Sequence, residues 1–393
     1  MEAAFAKNDP DFSEARRSLS WAIITGEYPW QPGGISDYTR LVAKGLAEAG
    51  DEVHVWAPAS AGATADDAGV EVRRLPGQFG PQALTMLDRE LAAARCDRIL
   101  IQYAPHAFGW KAMNVGFCGW LLARRRETIW TTFHEVAYPC AWRQSMRHNL
   151  LGAINRIMAS MVAKASQRIF ISCEAWEPWL KRLSLGQHRA PIWLPVPSNL
   201  PLKVGDEAVA TAKARVAGRT KKIVGHFGTF SALTADVLET VLLSLLKADV
   251  NLLAMLLGRG AYGFARRMVR EHPNLRGRLI VRDDCTCEQL AVGLATCDVL
   301  VQPYSDGVSS RRGSLMAGLA LGRATVTNEG ASTERFWHES KSVMLTTGTS
   351  KAMAAAAQAL LADSATRASL GARAAEMYRN RFALEHTIRQ LLA

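Results

Sequence analysis

Short apolar runs alternate along the chain with longer segments in which apolar residues recur every three or four positions. A run of about five apolar residues between polar ones fits a buried strand, and the three-to-four spacing fits a helix with one face on a core. Strands are predicted at 21–25, 52–57, 70–75, 98–103, 128–133 and 168–172. A helix is predicted from Gly33 and Gly34 onward, with Ile35, Tyr38, Val42 and Leu46 on one face. Others are predicted over 82–94, 112–126, 142–164 and 174–183. In 142–164, Met146, Leu150, Ile154, Ile157 and Met161 share a face, which is expected to be core. The pattern breaks at 192–204, where Pro195, Pro197 and Pro201 stand close together. It then resumes, with strands predicted at 222–227, 251–257, 278–281, 298–302 and 324–327. Helices are predicted at 234–247, 264–271 and 287–296, after the loop 303–312, and at 351–362, 366–379 and 384–392. Strands alternating with helices build βαβ units and a parallel sheet. Two such runs predict an α/β chain of two doubly wound domains, 1–197 and 198–380, with a final helical segment 381–393.

Composition narrows the partners. A length of 393 residues suits two domains. A net charge of +11 implies anionic company: nucleic acid, an acidic membrane surface or a phosphorylated small molecule. There is no long run of like charge and no basic tail, so nucleic acid is not expected. Seven cysteines without a C-x-x-C pair are read as free thiols in a reducing cytoplasm. Residues 1–18 lack the apolar stretch of a signal peptide. The most apolar region, 237–258, is broken by Glu239, Lys247 and Asp249, so no transmembrane helix is expected. Contact with anionic lipid through Arg124–Arg126 and through Arg143, Arg147 and Arg156 of the 142–164 helix is the alternative use of that surface.

In open parallel sheets, ligands bind beyond the carboxyl ends of the strands. The polar loops 26–36, 104–109, 134–139, 228–231 and 304–312 fall there and come from both halves, so the expected site is the cleft between domains. In the last loop a strand delivers Asp306, Gly307, Ser309, Ser310, Arg311 and Arg312 to a helix start. Unpaired amides and the helix dipole make such a start positive, so two arginines there are unfavourable unless an anion lies between them. A phosphate is the simplest such anion; a solvated basic turn is the other reading. Residues 258–263 read G-R-G-A-Y-G, with Asp283 about 20 positions on, as in a dinucleotide fingerprint. They follow the second strand of their domain, whereas that fingerprint belongs on the first, so nicotinamide binding is the lesser alternative.

Several segments together resemble family 4 glycosyltransferases. They are TGEYPWQPGGISDYTRLVAKGLAEAGDEVHVWAP, TTFHE, FISCEAW, IVGHFGTF, LLGRG, CDVLVQPYSDG, MAGLALGRATVT and RNRF, in the family's order over about residues 20–392. The resemblance implies a GT-B architecture: two Rossmann-like domains facing across a cleft, an N-terminal acceptor-binding domain, a C-terminal nucleotide-sugar-binding domain, and a last helix crossing back to the first. It implies sugar transfer from a nucleotide-sugar donor to a glycan, lipid-linked or small-molecule acceptor, retaining and without metal or other cofactor. Asp9-Pro10-Asp11 is a formal D-x-D but lies in the polar N-terminal tail. The expected setting is the cytoplasm, with peripheral contact at the inner face of the membrane.

In this reading His134, Arg311 and Arg312 are catalytic. Gly33, Gly34, Gly228, Thr229, Ser309 and Ser310 approach the donor phosphates, and Asp306 binds sugar hydroxyls. His106 and Glu135 lie on the acceptor side, Glu135 as base for the acceptor hydroxyl. The chain departs from the family in two respects. Two family glutamates eight positions apart are replaced by Ser309 and Ala317, and the family's Arg and Lys after the first strand of the second domain leave His226 as the one candidate cation. Arg311 and Arg312 are then the substitute charge. A degenerate GT-B binding partner and an epimerase are the other classes consistent with these departures.

Overall fold

The computed structural model describes residues 17–31, 33–59, 67–140, 142, 144–183, 190–218 and 221–393. The first half runs β1 (Ser20–Thr25), α1 (Gly34–Glu48), β2 (Glu52–Pro58), β3 (Val70–Leu75), α2 (Pro81–Ala94), β4 (Arg98–Tyr103), α3 (Val115–Ala123), β5 (Ile129–Phe133), α4 (Met146–Ala165), β6 (Arg168–Ile171), α5 (Glu177–Leu183) and β7 (Ile192–Trp193). The second runs α6 (Asp206–Ala217), β8 (Ile223–Phe227), α7 (Ala232–Ala248), β9 (Leu253–Leu257), α8 (Ala261–Glu271), β10 (Leu279–Arg282), α9 (Cys287–Thr296), β11 (Val299–Gln302), α10 (Gly313–Ala320), β12 (Thr325–Asn328), α11 (Arg335–Ser340), β13 (Met344–Thr346), α12 (Ser350–Ala362), α13 (Ser364–Met377) and α14 (Leu384–Leu392).

The strands form two parallel sheets, ordered β3-β2-β1-β4-β5-β6-β7 and β10-β9-β8-β11-β12-β13. Both are covered on both faces, which is why their strands read as continuous apolar runs. In β1, Ala22 and Ile24 join one core with α2, α3 and α4, while Trp21 and Ile23 join the other with α1. Strand order reverses between β1 and β4 and again between β8 and β11. The loops after these strands therefore open into the crevices where such sheets take ligands. The last helix, α14, crosses back: Ile388 and Leu391 pack in the α1 core, and Arg98 Nη1 donates to the Leu391 carbonyl at 3.0 Å.

Four elements escape the apolar pattern, among them the two-residue strand β7. Helix α6 buries a single residue, Ala217, so it carries almost no periodic signal. Helix α11 and strand β13 are too short to show a period. Helix α3 starts later than the pattern implies. Trp110, Lys111 and Ala112 are left-handed, with φ of 52°, 54° and 65°, and Asn114 Oδ1 caps the true start by accepting from the Phe117 amide.

Helix α4 splits the expected core-facing stripe: Ile154 and Met161 pack against the core, and the other three do not. Met146, Leu150 and Ile157 are 89%, 60% and 58% exposed. The buried side is instead Gly152, Asn155, Met158, Ala159, Val162 and Ala163. Small side chains let α4 lie close to α3, and Asn155 Nδ2 donates to the Ala112 carbonyl at 2.6 Å.

Candidate active site

The sheet edges bring one chain of charge together across the cleft. Glu27 follows β1, His106 follows β4 and Glu135 follows β5, while Asp306, Arg311 and Arg312 follow β11. His106 Nδ1 lies 3.2 Å from Glu135 Oε2, and its Nε2 lies 3.8 Å from Glu27 Oε1. Arg311 Nη1 lies 3.9 Å from Glu135 Oε1, so the chain crosses from one domain to the other. Arg311 Nη2 donates to Asp306 Oδ2 at 2.7 Å, and Arg312 Nη2 donates to the other oxygen, Oδ1. Ser332 Oγ also donates to Asp306, at 2.8 Å. The guanidinium of Arg311 lies over Trp176 and that of Arg312 over Tyr304, whose hydroxyl meets Ser314 Oγ at 2.9 Å.

The electrostatics follow from this alternation of sign. Burial pushes the Asp306 carboxyl up, but Arg312, Arg311 and Ser332 outweigh it and hold it below the usual range. Burial likewise raises Glu135, and the bond and charge of His106 with the charge of Arg311 reverse that. The Glu135 hydrogen bond in turn raises His106, against the effect of burial. Glu27 goes the other way: burial lifts its carboxyl above the usual range, with Glu135 and Asp37 adding to the lift. Arg312 is lowered by burial and by Arg311 beside it.

Two histidines sit behind the sheet edges in different surroundings. His134 is buried beside the Tyr38 ring, 4.7 Å between centroids, and its Nε2 lies 2.8 Å from Gln102 Oε1. An amide oxygen accepts, so this nitrogen carries the proton as oriented. His226 Nδ1 donates to the Val301 carbonyl at 2.9 Å, and its Nε2 is buried with no partner, facing the Gly228 loop. Burial pushes both down to about 4. Both are neutral at pH 7, which corrects the reading of His226 as a cation.

Several other expectations change on physical grounds. The anion between Arg311 and Arg312 is the protein's own Asp306, so neither a solvated turn nor an open phosphate seat describes this state, and Asp306 is not free for a sugar. Ser310 is an interdomain joint rather than a donor ligand. Its amide donates to Glu334 at 3.0 Å, its Oγ reaches the Ser172 carbonyl at 2.7 Å, and Trp193 Nε1 donates to that Oγ at 3.0 Å. Ser309 is fully buried, and Ala317 lies in the core of the second domain, so neither side chain reaches the cleft. Thr229 is exposed and Gly228 half-buried at the end of β8, on the crevice side. Gly33 precedes α1 in extended backbone, and Gly34 opens the helix with nothing within 4 Å of where a Cβ would stand. Asp283 contradicts the dinucleotide reading. Its two oxygens accept from the Gly260 and Tyr262 amides, both at 3.1 Å, so a carboxylate already holds the α8 start where a pyrophosphate would lie. Asp9-Pro10-Asp11 lies outside the described residues.

The sequence reading missed Glu27, Glu334 and Trp176. Glu27 sits inside a flagged loop, directly after β1, and its position at the strand end was the available signal. Glu334 accepts from the Ser310 amide and from Trp337 Nε1, the latter at 2.8 Å. Nothing local in the sequence distinguishes it from a surface carboxylate.

Residues 32–192 match the sequence profile described as Glycosyltransferase Family 4. Over these residues the chain is similar to that family. No curated protein matches the chain. Among solved structures, sucrose-phosphate synthase from Thermosynechococcus elongatus superposes with a TM-score of 0.74 at 18% identity, over 95% of this chain and 97% of that one. HepE of Anabaena, solved with UDP and glucose, gives 0.68 at 16%, over 95% and 98%. The lipopolysaccharide glycosyltransferase WaaG gives 0.67 at 12%, over 95% and 99%. At such identities the likeness establishes the GT-B fold. The family match spans α1 through β6, in the half that supplies Glu135, His106 and His134.

Proposed function

We propose that the protein transfers a sugar from a nucleotide-sugar donor to an acceptor hydroxyl, as a hexosyltransferase working with retention and with arginine in place of a metal. The observation that carries this reading is the pair Arg311 and Arg312, held at the start of α10 in the cleft by a single carboxylate. As the donor's C1–O bond breaks, negative charge builds on the leaving diphosphate, and fixed cations and amides there lower the barrier. The arginines turn from Asp306 to the diphosphate, and the α1 start, open over Gly34 and closed over Gly33 by the Glu27 carboxylate, faces it from the other domain. C1 bonds to the acceptor oxygen, whose proton passes to Glu135, a carboxylate at neutral pH that His106 orients. Neutral His134 brings no charge, and with its Nε2 proton held by Gln102 its Nδ1 can only accept a hydrogen bond. The crystal of HepE with UDP and glucose supports a UDP-linked donor.

The test is calorimetric titration with UDP, GDP, ADP and TDP, repeated on the Arg311→Ala/Arg312→Ala variant. Each charged contact is worth about 1.5–3 kcal/mol, so the double variant should lose about 3 kcal/mol of diphosphate affinity. Equal binding by both proteins would remove the arginines from the site. Burial of Ser309 and Ala317, where the family carries glutamates, favours a second reading: a GT-B protein that binds a nucleotide sugar without turning it over. Release of free sugar or of nucleoside diphosphate from a UDP-sugar excludes that reading.

A further inference from the structure

We propose that the outer face of α4 docks on an anionic lipid bilayer. Met146, Leu150, Ala153 and Ile157 are spaced four, three and four residues apart, so they form one stripe along the helix, and all four are exposed. The buried residues Gly152, Asn155, Ala159 and Val162 lie on the opposite side. Met146, Leu150 and Ile157 thus point to solvent although the opposite side, with Met158 and Val162 among smaller residues, already supplies the core, so the helix is apolar on both faces. Aromatic side chains rim the stripe: Trp142, four residues before Met146, is fully exposed, and Tyr138 and Trp179 are 41% and 40% exposed. Tyr138 stacks on His148, and Arg156 lies over the Trp179 ring at 5.0 Å. Amphipathic rings at the edge of an apolar face suit the boundary between headgroups and acyl chains.

Charge decides the occupant. Residues 136–173 contain no Asp or Glu but include Arg143, Arg147, Arg156, Lys164 and Arg168. A second copy of the chain would bring this basic face against itself in a two-fold dimer, with like charges opposed. A bilayer carrying anionic headgroups complements both the stripe and its basic surround. No helix among the described residues is long and apolar enough to cross a membrane, so the contact is interfacial.

The experiment is co-sedimentation of the full chain with vesicles of phosphatidylcholine alone and with phosphatidylglycerol added, beside a Met146→Ser/Leu150→Ser/Ile157→Ser variant. All three positions are solvent-exposed, and an unchanged thermal midpoint checks that the variant folds. The wild type should partition at least about tenfold more strongly to the anionic vesicles, less so in high salt. The triple variant should lose about tenfold or more of that partitioning. Failure of the wild type to bind anionic vesicles, or equal binding by the variant, overturns the proposal. A stable dimer in sedimentation equilibrium that the variant dissolves assigns the face to a second copy and overturns it too.

Discussion

Two glycine-led helix starts, one in each domain, carry similar sequence signals and meet different ends. In the second domain, residues 258–263 have the fuller motif, yet the start of α8 is closed by Asp283. In the first domain, Gly33 and Gly34 have a poorer motif, yet α1 opens with no side-chain cap and with space over Gly34. Glycine spacing reports where backbone must pass closely. It does not report what passes there. At Gly258 the close neighbour is the protein itself: a Cβ would stand 2.5 Å from the Gly228 carbonyl oxygen, at a φ of 105°. At Gly34 the space is left for something else.

The largest expected effect tests the closed member of the pair. Gly258→Ala meets a left-handed backbone and a carbonyl that cannot yield without moving β8's loop. Strain and overpacking together should cost about 4 kcal/mol in urea unfolding at pH 7. A loss under about 1 kcal/mol would mean that the second-domain glycine is not structural, and the contrast with Gly34 would fail.

The histidines behind the two starts make the next test, which treats the domains alike. A histidine pushed by burial from the ordinary 6.5 down to about 4 is neutral when folded, while the unfolded chain binds a proton as pH falls below 6.5. The stability it contributes is therefore complete above pH 6.5 and is lost as pH falls toward 4. By pH 5 each histidine should account for about 2 kcal/mol, at 1.36 kcal/mol per pH unit. Comparing urea midpoints at pH 7 and pH 5, the His226→Asn variant should show that much less acid loss than the wild type. An unchanged pH dependence would mean that His226 is protonated in the folded protein and returns it to the list of cations facing the donor.

The contrast also shows what the sequence made readable. Both sheets, nearly all their helices and the edge that gathers Glu135, His134 and Arg311 followed from apolar period and from the rule that loops at strand ends carry sites. Angular spacing on a helix is periodic, however, and has no sign. It placed Met146, Leu150 and Ile157 on one face of α4, but which face meets the core was decided by the small residues opposite them and by α3. Pairings distant in sequence were equally hidden. That Asp283 caps a helix begun 22 residues earlier, or that Glu334 takes the Ser310 amide, depends on where the loops after β10 and β12 fold back. Asp306 between two arginines was close enough in sequence to have been found.

A milder change opens the closed start. Asp283→Ala removes the carboxylate from two α8 amides and should cost about 1 kcal/mol of stability, the scale of a lost helix cap. Nucleoside diphosphate binding should not change, because the α8 start is not where the phosphates lie. If affinity instead rises by calorimetry, the anion seat belongs to the second-domain motif after all.

The smallest effect on stability is the sharpest for function. Gly34→Ala adds a methyl group to the first turn of α1, where no atom lies within 4 Å. Removing glycine's freedom in the unfolded chain at a site of helical backbone should leave stability unchanged or raise it by up to about 1 kcal/mol. Any loss of nucleoside diphosphate affinity in such a variant cannot then come from a damaged fold. If phosphate oxygens approach the α1 amides as closely as proposed, the methyl group stands in their path and affinity should fall about tenfold, or about 1.4 kcal/mol. Unchanged affinity with unchanged stability would make Gly34 as incidental to the ligand as Gly258 is. The openness above α1 would then be empty space, and the donor would be held from the second domain alone.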